Sequence, residues 1–434
     1  MMRNIFIQLI KLILIFSFTS SQTRYKDEIF SDVIKTEDVV YGNAPDIPFN
    51  FAWEWFTEDI DLTMDIYEAD GDTLTNRPVI IFMHSGAFFE GSHEADDMVA
   101  LSNSSAKMGY VAVSIAYRLG YNIFSSYSAE RAIYRGVQDV SAAVRYLREH
   151  QSEYGIDYDN IFIWGSSAGA FSGIHLSFME DRDRPESTFE NTWWNPDLGC
   201  IDCSGNDFDH NRKPKAVIAC WGGILNLDWI KQGDDIPLIM FHGVEDSIVQ
   251  FNEGYPFTDG YLLPWLYGSN LVKNRLDSLN IESELHAPEG MPHEYWGTFS
   301  GNWLEDGPNE NFAIIKEEAY SFLYDILFPF QMEIVNDELA MPGAFALHQN
   351  YPNPFNPTTT INYDLPEART VEIMIYDIMG RKVRSLINEH QGIGFRSVVW
   401  DASDDYGRPV SAGMYVYTIQ AGDYRQVRKM ILLK

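Results

Sequence analysis

The chain has 434 residues and a formal net charge of −32, with 63 acidic against 31 basic side chains. A chain of this length exceeds what one hydrophobic core usually serves, so two domains are expected. A field of this sign repels phosphate, which argues against nucleic acid and anionic membrane surfaces as partners. An acidic surface is also a common solubility device, and it says little about the fold.

The N-terminus has the layout of an export signal. Arg3 supplies a positive charge, an apolar run extends from Ile5 to Phe18, and small polar residues at 19–21 lead into a charged stretch. A membrane span needs about 20 apolar residues, whereas this run is shorter and contains Lys11. We therefore predict a signal peptide over 1–22 and an exported protein without a stable membrane span.

Short apolar runs then alternate with longer amphipathic ones up to about residue 330. Helical spacing of apolar residues predicts helices over Glu130–His150 and Trp265–Ser278. Runs rich in branched and aromatic residues predict buried strands at Val79–Met83, Val111–Ala116, Ile161–Trp164, Ala216–Trp221, Leu238–Phe241 and Ser283–Ala287. This alternation predicts an α/β domain over 23–330, with a mostly parallel sheet covered by helices on both faces.

The strongest chemical signal is the pentapeptide Gly165-Ser166-Ser167-Ala168-Gly169, which directly follows a predicted strand. The pentapeptide alone is a weak signal, and its position gives it weight. Glycines two residues either side of a serine allow a sharp strand-to-helix turn that exposes the hydroxyl at the carboxyl edge of the sheet. Substrates bind at this edge in open α/β folds, so Ser167 is the predicted nucleophile.

A serine hydroxyl needs a base, and the base needs an acid that orients it. Asp246 follows the strand Leu238–Phe241, and His293 follows the next predicted strand, so both should reach the same sheet edge as Ser167. Glu245 is the alternative acid. The competing histidines, His242 and His286, lie at strand ends and are expected to satisfy backbone groups.

The three cysteines allow several readings. Cys200 and Cys203 lie close enough for a disulfide in an oxidising compartment, whereas Cys220 in its apolar run should be a core residue. The pair offers too few ligands for zinc, so neither a metal nor a cofactor is predicted. Both cysteines belong to a long stretch, 180–213, that also holds Trp193 and Trp194; it is either a lid or substrate-binding insertion or a solvated loop.

These residues together resemble the esterase/lipase branch of the α/β-hydrolase superfamily, whose triad order is Ser, Asp, His. The resemblance covers about Leu62 to Phe328. Its further marks are Tyr117-Arg118-Leu119, the segment around Gln138-Asp139, and Asp157-Tyr158-Asp159-Asn160.

The resemblance also implies an oxyanion hole. The first donor would come from Gly86 and Ala87 after the first long strand, and the second from the Ala168 N–H. The segment His84-Ser85-Gly86-Ala87 keeps only one of the branch's three glycines. Backbone donors remain, but the shape of the hole and the acyl preference are open, and a plain strand end with a small-residue turn is the alternative.

The sequence changes character near residue 331. The segment Tyr351-Pro352-Asn353-Pro354-Phe355-Asn356-Pro357 excludes a helix, and short strands separated by turns at Gly380 and Gly407 predict a small β-sandwich. With Tyr376-Asp377-Ile378-Met379-Gly380 and Gly413-Met414-Tyr415-Val416-Tyr417, this part resembles the type IX secretion sorting domain. The prediction is a linker over 331–344 and an immunoglobulin-like all-β domain over 345–434.

The resemblances imply a protein carried through the periplasm to the cell surface or medium, with the type IX secretion machinery as partner. Its expected activity is hydrolysis of a carboxylic ester through a Ser-His-Asp triad and an acyl-enzyme. The substrate is either a small ester or an acetyl or feruloyl group on a polysaccharide. The alternative class is an inert hydrolase-fold protein displayed for binding. For the C-terminal domain, carbohydrate binding or spacing is the alternative.

Overall fold

The structure is a computed structural model that describes residues 23–47, 54, 56–189, 195–257, 263–328, 344–350 and 352–433. The chain forms two compact units, 1–329 and 330–434. The predicted signal peptide and all of the predicted linker except Ala344 lie outside the described residues. Within the described part, no helix combines the length and apolar character that a bilayer span requires.

The first unit contains thirteen strands in its described part. They are β1 (Val33–Asp46), β2 (Glu58–Ala69), β3 (Arg77–Met83), β4 (Val111–Ile115), β5 (Ile156–Ser166), β6 (Ala216–Cys220), β7 (Gly223–Ile224), β8 (Leu238–Phe241), β9 (Glu253–Gly254), β10 (Leu266–Gly268), β11 (Ser283–His286), β12 (Thr298–Phe299) and β13 (Asn302–Trp303).

Eight of these strands form the main sheet, in the order β1-β2-β4-β3-β5-β6-β8-β11. Strands β1, β2 and β4 pair antiparallel, and every pair from β4 through β11 is parallel. The carboxyl ends of β3, β5, β6, β8 and β11 therefore meet at one edge. The remaining short strands form a three-stranded sheet, β7-β10-β9, and the hairpin β12-β13.

Helices cover both faces of the main sheet. They are α1 (Asp96–Lys107), α2 (Ser126–Glu149), α3 (Gln151–Tyr154), α4 (Ala168–Phe178), α5 (Ser269–Leu279) and α6 (Glu310–Leu327). Apolar residues of α2, α4 and α5 belong to one core cluster, and those of α1 and α6 belong to another. Successive residues of β3 join different clusters, since Val79 and Ile81 lie in the first and Ile80 and Phe82 in the second. This alternation confirms the predicted two-faced parallel sheet.

Two helix boundaries differ from the prediction. Helix α2 begins at Ser126 rather than Glu130, because the Ser125 side chain accepts the Ser128 N–H and caps the helix. The predicted helix over Trp265–Ser278 begins only at Ser269. Residues 266–268 instead pair as β10 with β7 and β9, so their backbone groups take part in a sheet.

The second unit is a small β-sandwich, as predicted. Its strands are β14 (Ala346–Leu347), β15 (Thr359–Leu365), β16 (Arg369–Asp377), β17 (Lys382–Gln391), β18 (Gly394–Trp400), β19 (Gly413–Ala421) and β20 (Tyr424–Leu432). They form the antiparallel sheets β14-β15-β18 and β17-β16-β19-β20. Alternate residues of β16 and β19, such as Ile373, Ile375, Tyr417 and Ile419, are fully buried in its core.

Candidate active site

Ser167 occupies a sharp turn between β5 and α4, at the carboxyl edge of the sheet. Its φ of +49° and ψ of −111° are backbone angles that residues other than glycine rarely adopt. The Ser167 N–H donates to the Cys220 carbonyl at 2.9 Å, which ties the turn to the end of β6. Backbone strain of this kind persists only where the surrounding structure enforces it, and it is typical of functional sites.

Gly165 and Gly169 allow the backbone to approach itself closely around this turn. A Cβ on Gly165 would overlap the backbone of Gly169, and a Cβ on Gly169 would overlap the carbonyl of Met83 in β3. Neither position therefore accepts a side chain. The glycine spacing seen in the sequence is a packing requirement of α4 against the two central strands.

His293 lies on the loop after β11, and Asp246 lies on the loop after β8. His293 Nε2 is 3.0 Å from Ser167 Oγ, and His293 Nδ1 is 2.6 Å from Asp246 Oδ2. The structure brings together the three residues that the sequence singled out, in the order Ser167, His293, Asp246. The carboxylate in contact with His293 belongs to Asp246 and not to Glu245. A hydrogen-bonded nucleophile, base and acid are the parts that activate a serine hydroxyl.

The carboxylate of Asp246 is held at both oxygens. Oδ1 accepts the N–H groups of Ile248 and Val249 at 2.8 and 2.9 Å. Burial by itself raises the pKa of Asp246, but hydrogen bonds from His242 and His293 outweigh it and hold that pKa well below its ordinary value. Asp246 is therefore ionised at neutral pH, which suits it to orient His293 and to balance a positive charge on its ring.

His242 contacts the same carboxylate, which the sequence did not indicate. Its Nε2 lies 3.0 Å from the Val249 carbonyl, as expected for a backbone-satisfying residue, and 3.2 Å from Asp246 Oδ2. The one signal available in the sequence was the spacing His-Gly-X-X-Asp directly after a strand. His286, the other competitor, stacks on Phe241 with ring centroids 4.8 Å apart.

Trp221 connects the nucleophile turn to His293. Its indole N–H donates to Ser166 Oγ at 2.9 Å, and its ring lies edge-on to the His293 ring, with centroids 6.1 Å apart. Ser166 Oγ is also 3.2 Å from Ser85 Oγ. The loop after β3, the turn at Ser167 and the ring of His293 are therefore positioned by one buried network, which no pattern in the sequence indicates.

The loop after β3 carries the predicted oxyanion donors. Gly86, Ala87 and Phe88 have φ values of +121°, +54° and +58°, and the Gly86 carbonyl accepts the N–H groups of residues 89 and 90. Ala87 and Ala168 line one small cavity together with Ser167, whereas Gly86 lines the larger cavity beside it. The three predicted residues are thus gathered around the nucleophile. Their donation to an oxyanion stays a prediction.

His84 supports this loop from within the core. Its ring stacks on Tyr117 at a centroid distance of 4.2 Å, and its Nδ1 lies 2.6 Å from the Ser85 carbonyl. The Tyr117 hydroxyl donates to the His84 carbonyl at 2.7 Å. Burial lowers the pKa of His84 to about 4, so its ring is neutral at physiological pH. The loop therefore keeps the histidine of the resembled motif as a structural support.

The hairpin β12-β13, which follows His293, is fixed from two sides. The N–H of Trp303 donates to Asp96 at 2.9 Å, and the N–H of Asp97 donates to the Gly301 carbonyl at 3.1 Å, both at the start of α1. On the other side, Ser300 Oγ donates to Glu90 at 2.8 Å. The hairpin thus forms a fixed wall beside His293.

Two cavities meet at Ser167, and we call them the small cavity and the large cavity. The small cavity has a volume of about 60 Å³, and apart from Ser167 and the Tyr121 hydroxyl its lining is apolar. Its lining residues are Ala87, Phe88, Tyr121, Ala129, Ile133, Ser167, Ala168, Phe171, Ile248, Val249, Pro256, Phe257, Leu263, Pro264 and Leu266.

The large cavity has a volume of about 630 Å³ and a mixed lining that includes His293. Its lining residues are Gly86, Ala87, Phe89, Glu90, Tyr121, Ile123, Ser167, Ser247, Ile248, Phe257, Leu263, Pro292, His293, Glu294, Thr298, Phe299 and Ser300. Ser167 thus faces a tight apolar space on one side and a roomy, partly polar space on the other.

One group of side chains in the described residues has the spacing of metal ligands, away from Ser167. The ligand atoms of Asp38, Asp65 and His93 lie within 4.8 Å of one another. However, Lys35 Nζ is 2.9 Å from the buried Asp65 carboxylate and 3.2 Å from Glu94. An ammonium group therefore already pairs with one of the three side chains.

The described parts of the 180–213 stretch pack closely against α2. Buried arginines of α2 donate to its backbone carbonyls, for example Arg145 to Ser204 at 3.0 Å and to Asn206 at 2.8 Å. Cys200 and Cys203 form a disulfide within it, and Cys220 is free and buried, as expected. These anchored parts are not a solvated loop. Trp193 and Trp194, the reason for expecting a substrate-binding role, lie outside the described residues.

Comparison with known proteins gives matches for both units. Residues 64–222 match the BD-FAE family, and residues 349–433 match the secretion system C-terminal sorting domain. The chain is 28% identical to the para-nitrobenzyl esterase of Bacillus subtilis over 160 residues, 35% of this chain and 32% of the relative. It is 26% identical to carboxylesterase NlhH of Mycobacterium tuberculosis over 162 residues, 37% of this chain and 43% of the relative.

A solved structure, Thermogutta terrifontis esterase 2 phosphoramylated by tabun, is 21% identical with a TM-score of 0.46; the match covers 68% of this chain and 95% of that one. The chain spans less than half the length of the two curated relatives named above. The sorting-domain match indicates an exported or cell-surface protein. The chain thus carries a BD-FAE hydrolase domain over residues 64–222 and a type IX secretion sorting domain over residues 349–433.

Proposed function

We propose that the protein is an exported serine hydrolase of carboxylic esters. The observation that carries the proposal is the hydrogen-bonded chain Ser167–His293–Asp246, with distances of 3.0 and 2.6 Å. The names of the curated relatives, which include esterases and carboxylesterases, support the same reaction class. The proposed division is a catalytic domain over 23–330 and a sorting domain over 345–434, with the secretion machinery as the partner of the latter.

The reaction uses each residue at a defined atom. Ser167 Oγ attacks the ester carbonyl carbon while His293 Nε2 takes the hydroxyl proton, and Asp246 balances the resulting imidazolium. The amides of Ala87 and Ala168, with Gly86 as the alternative donor, stabilise the carbonyl oxygen as it becomes negative. The ester C–O bond then breaks, His293 returns the proton to the leaving alcohol, and an acyl-Ser167 remains. Water attacks this acyl group through the same base and releases the acid.

Proton transfer assigns the two cavities to the two halves of the ester. The leaving alcohol must receive its proton from His293, so it occupies the large cavity, which His293 lines. The acyl group then occupies the small cavity, which contains Ser167 and Ala168 without His293. A space of about 60 Å³ holds only a few water-sized groups, at about 10–15 Å³ each. We therefore infer a short acyl group, from acetyl to butyryl.

The large cavity favours one class of alcohol. Its volume of about 630 Å³ and its polar side chains Glu90, Ser247 and Ser300 suit a bulky, polar alcohol better than a short aliphatic one. A sugar of a polysaccharide fits this description, which makes an acetylated polysaccharide the second candidate substrate. A feruloyl group, with an aromatic ring on a three-carbon chain, exceeds the small cavity.

The test is hydrolysis of p-nitrophenyl acetate, butyrate and octanoate by the full chain and by Ser167→Ala. We expect turnover in the wild type that falls from acetate to octanoate and is absent from the variant. A folded wild-type protein that hydrolyses neither these esters nor acetylated xylan, and that a fluorophosphonate leaves unlabelled, would be an inert binding protein instead.

A further inference from the structure

His242 is a buried histidine that contacts the triad without belonging to it. Its side chain is fully buried and contacts the same Asp246 oxygen as His293. Its Nε2 faces two acceptors, the Val249 carbonyl at 3.0 Å and Asp246 Oδ2 at 3.2 Å. Its Nδ1 lies 2.8 Å from Ser269 Oγ, which is itself 3.1 Å from the Gly222 carbonyl. Each ring nitrogen therefore has a defined partner.

These contacts restrict where the protons of His242 are. Because both neighbours of Nε2 are acceptors only, Nε2 must carry a proton. Nδ1 faces a hydroxyl, which either donates to it or accepts from it. If the ring is neutral, the Ser269 hydroxyl donates to Nδ1; if the ring is charged, Nδ1–H donates to Ser269 and the hydroxyl turns to Gly222. In both states, Nε2–H points towards Asp246 and Val249.

We infer that His242 is a positioning residue for the triad, which donates to Asp246 and limits the negative charge that His293 experiences. This inference rests on the proposed function, since it concerns the same base. A carboxylate that accepts an additional N–H is a weaker base, so it stabilises the His293 imidazolium less.

Among the described residues, the ionisable group that contacts the His242 side chain is the carboxylate of Asp246. Ser269, at the start of α5, and Phe251, whose ring lies edge-on at 5.6 Å, carry no charge. His286 of β11 contributes its carbonyl to the His242 N–H at 3.0 Å, and its ring stacks on Phe241. His293 contacts the same oxygen of the Asp246 carboxylate as His242. Loss of a charged donor and loss of a neutral donor at position 242 act in the same direction, because both leave more negative charge on Asp246 beside His293.

The test is the pH profile of kcat/KM for p-nitrophenyl acetate with the full chain. His242→Phe should move the acidic limb to higher pH by about one unit, while activity on the alkaline plateau falls less than tenfold. His242→Gln keeps an N–H donor near the Nε2 position and should return the limb at least halfway to the wild-type pH. His286→Phe, a matched change at the neighbouring strand end, should leave the limb unmoved.

The outcomes separate this inference from the proposed function. A wild-type protein without turnover refutes the proposed function and gives no profile to compare. If the wild type is active and Ser167→Ala is not, an unmoved acidic limb in folded His242→Phe overturns the positioning role. A uniform loss at every pH would equally mean that His242 only supports the structure.

A second measurement requires no variant at position 242. In ¹⁵N-histidine-labelled full-length protein, the Nε2 resonance of His242 should be that of a protonated nitrogen at every pH from about 5 to 9. Measurement of Ser167→Ala makes the result independent of turnover. An unprotonated Nε2 at pH 8 would remove the donor to Asp246 and overturn the inference.

Discussion

The small and large cavities share six lining residues, including Ser167, yet helix residues contribute only to the lining of the small cavity. Helices α2 and α4 close the small cavity with Ala129, Ile133 and Phe171. The large cavity is bordered instead by the loop after β3 and by the hairpin β12-β13. Under the proposed assignment, the helix residues that border the acyl space cannot change without disturbing the core. Loops can change the alcohol space at little cost, so substrate variety should arise on the large side.

The largest expected effect is the loss of the proposed ester hydrolysis, which depends on both cavities. Asp246→Asn should lower kcat about 10⁴-fold for every ester, because an amide favours the wrong tautomer of His293 and does not balance its charge. The matched control is Glu245→Gln, which should stay within about twofold of wild type in steady-state kinetics. If kcat fell only for esters of bulky alcohols, Asp246 would act only on substrates that fill the large cavity.

The second effect concerns the stability of the helix beneath the small cavity. His175 of α4 is neutral, because burial lowers its pKa to about 4, and its Nε2 accepts the Leu225 N–H at 3.3 Å. In the unfolded chain the same histidine has an ordinary pKa and takes up a proton as the pH is lowered from about 6.5 to about 4. The free energy of unfolding therefore decreases as the pH is lowered through this window.

For His175 the loss reaches about 3 kcal/mol at pH 4, and His84 beside the large cavity should contribute a similar amount. Urea unfolding of wild type and of His175→Gln at pH 7, 5.5 and 4 measures how stability depends on pH, and the dependence should be less steep in the variant. An unchanged slope would show that His175 is charged in the folded state.

A third prediction enlarges the small cavity alone. Ile133→Ala should raise the ratio of kcat/KM for octanoate to that for acetate about tenfold, because a longer acyl chain gains the vacated volume. Ile123→Ala, at the rim of the large cavity, is the matched control and should leave the ratio unchanged. If Ile123→Ala shifts the ratio and Ile133→Ala does not, the two halves of the ester are assigned the wrong way round.

The smallest effect is expected on the large side. Phe299, at the tip of the hairpin, is 71% exposed and lines the large cavity. Phe299→Ala should raise KM for acetylated xylo-oligosaccharides about threefold and leave KM for ethyl acetate unchanged, since only a large alcohol reaches the ring. Phe124→Ala removes a ring of equal exposure, 73%, outside the residues that line the two cavities, and should change neither value.

The residues of the proposed triad could be expected to meet because each follows a strand of a parallel sheet. Such strands end at a common edge, so Ser167, Asp246 and His293 were predictable from chain order and strand positions. The contact of His242 with Asp246 was not predictable, since it depends on the turn of the loop over Ile248 and Val249. Likewise Trp221 lies next to a predicted strand end, and nothing in its spacing indicates that its indole reaches Ser166.

The predicted start of one helix was wrong because strand pairing with distant residues sets the backbone conformation there. The apolar spacing at 265–278 is helical throughout, yet residues 266–268 pair with strands about 12 and 43 positions away. Local periodicity carries no information about such partners. In the sandwich, by contrast, β16 and β19 are short runs of branched and aromatic residues between turns, which made the strands evident from the sequence.

The redox state of Cys200 and Cys203 also reports whether a molecule of the protein has been exported. A reducing cytoplasm leaves both sulfurs as thiols, and an oxidising compartment joins them, so alkylation before electrophoresis distinguishes molecules on the two sides of the inner membrane. Cys220, shielded in the core, becomes accessible on denaturation in either pool and serves as the internal standard. The mass difference of two alkyl groups would then measure how much of the protein has been exported at any moment.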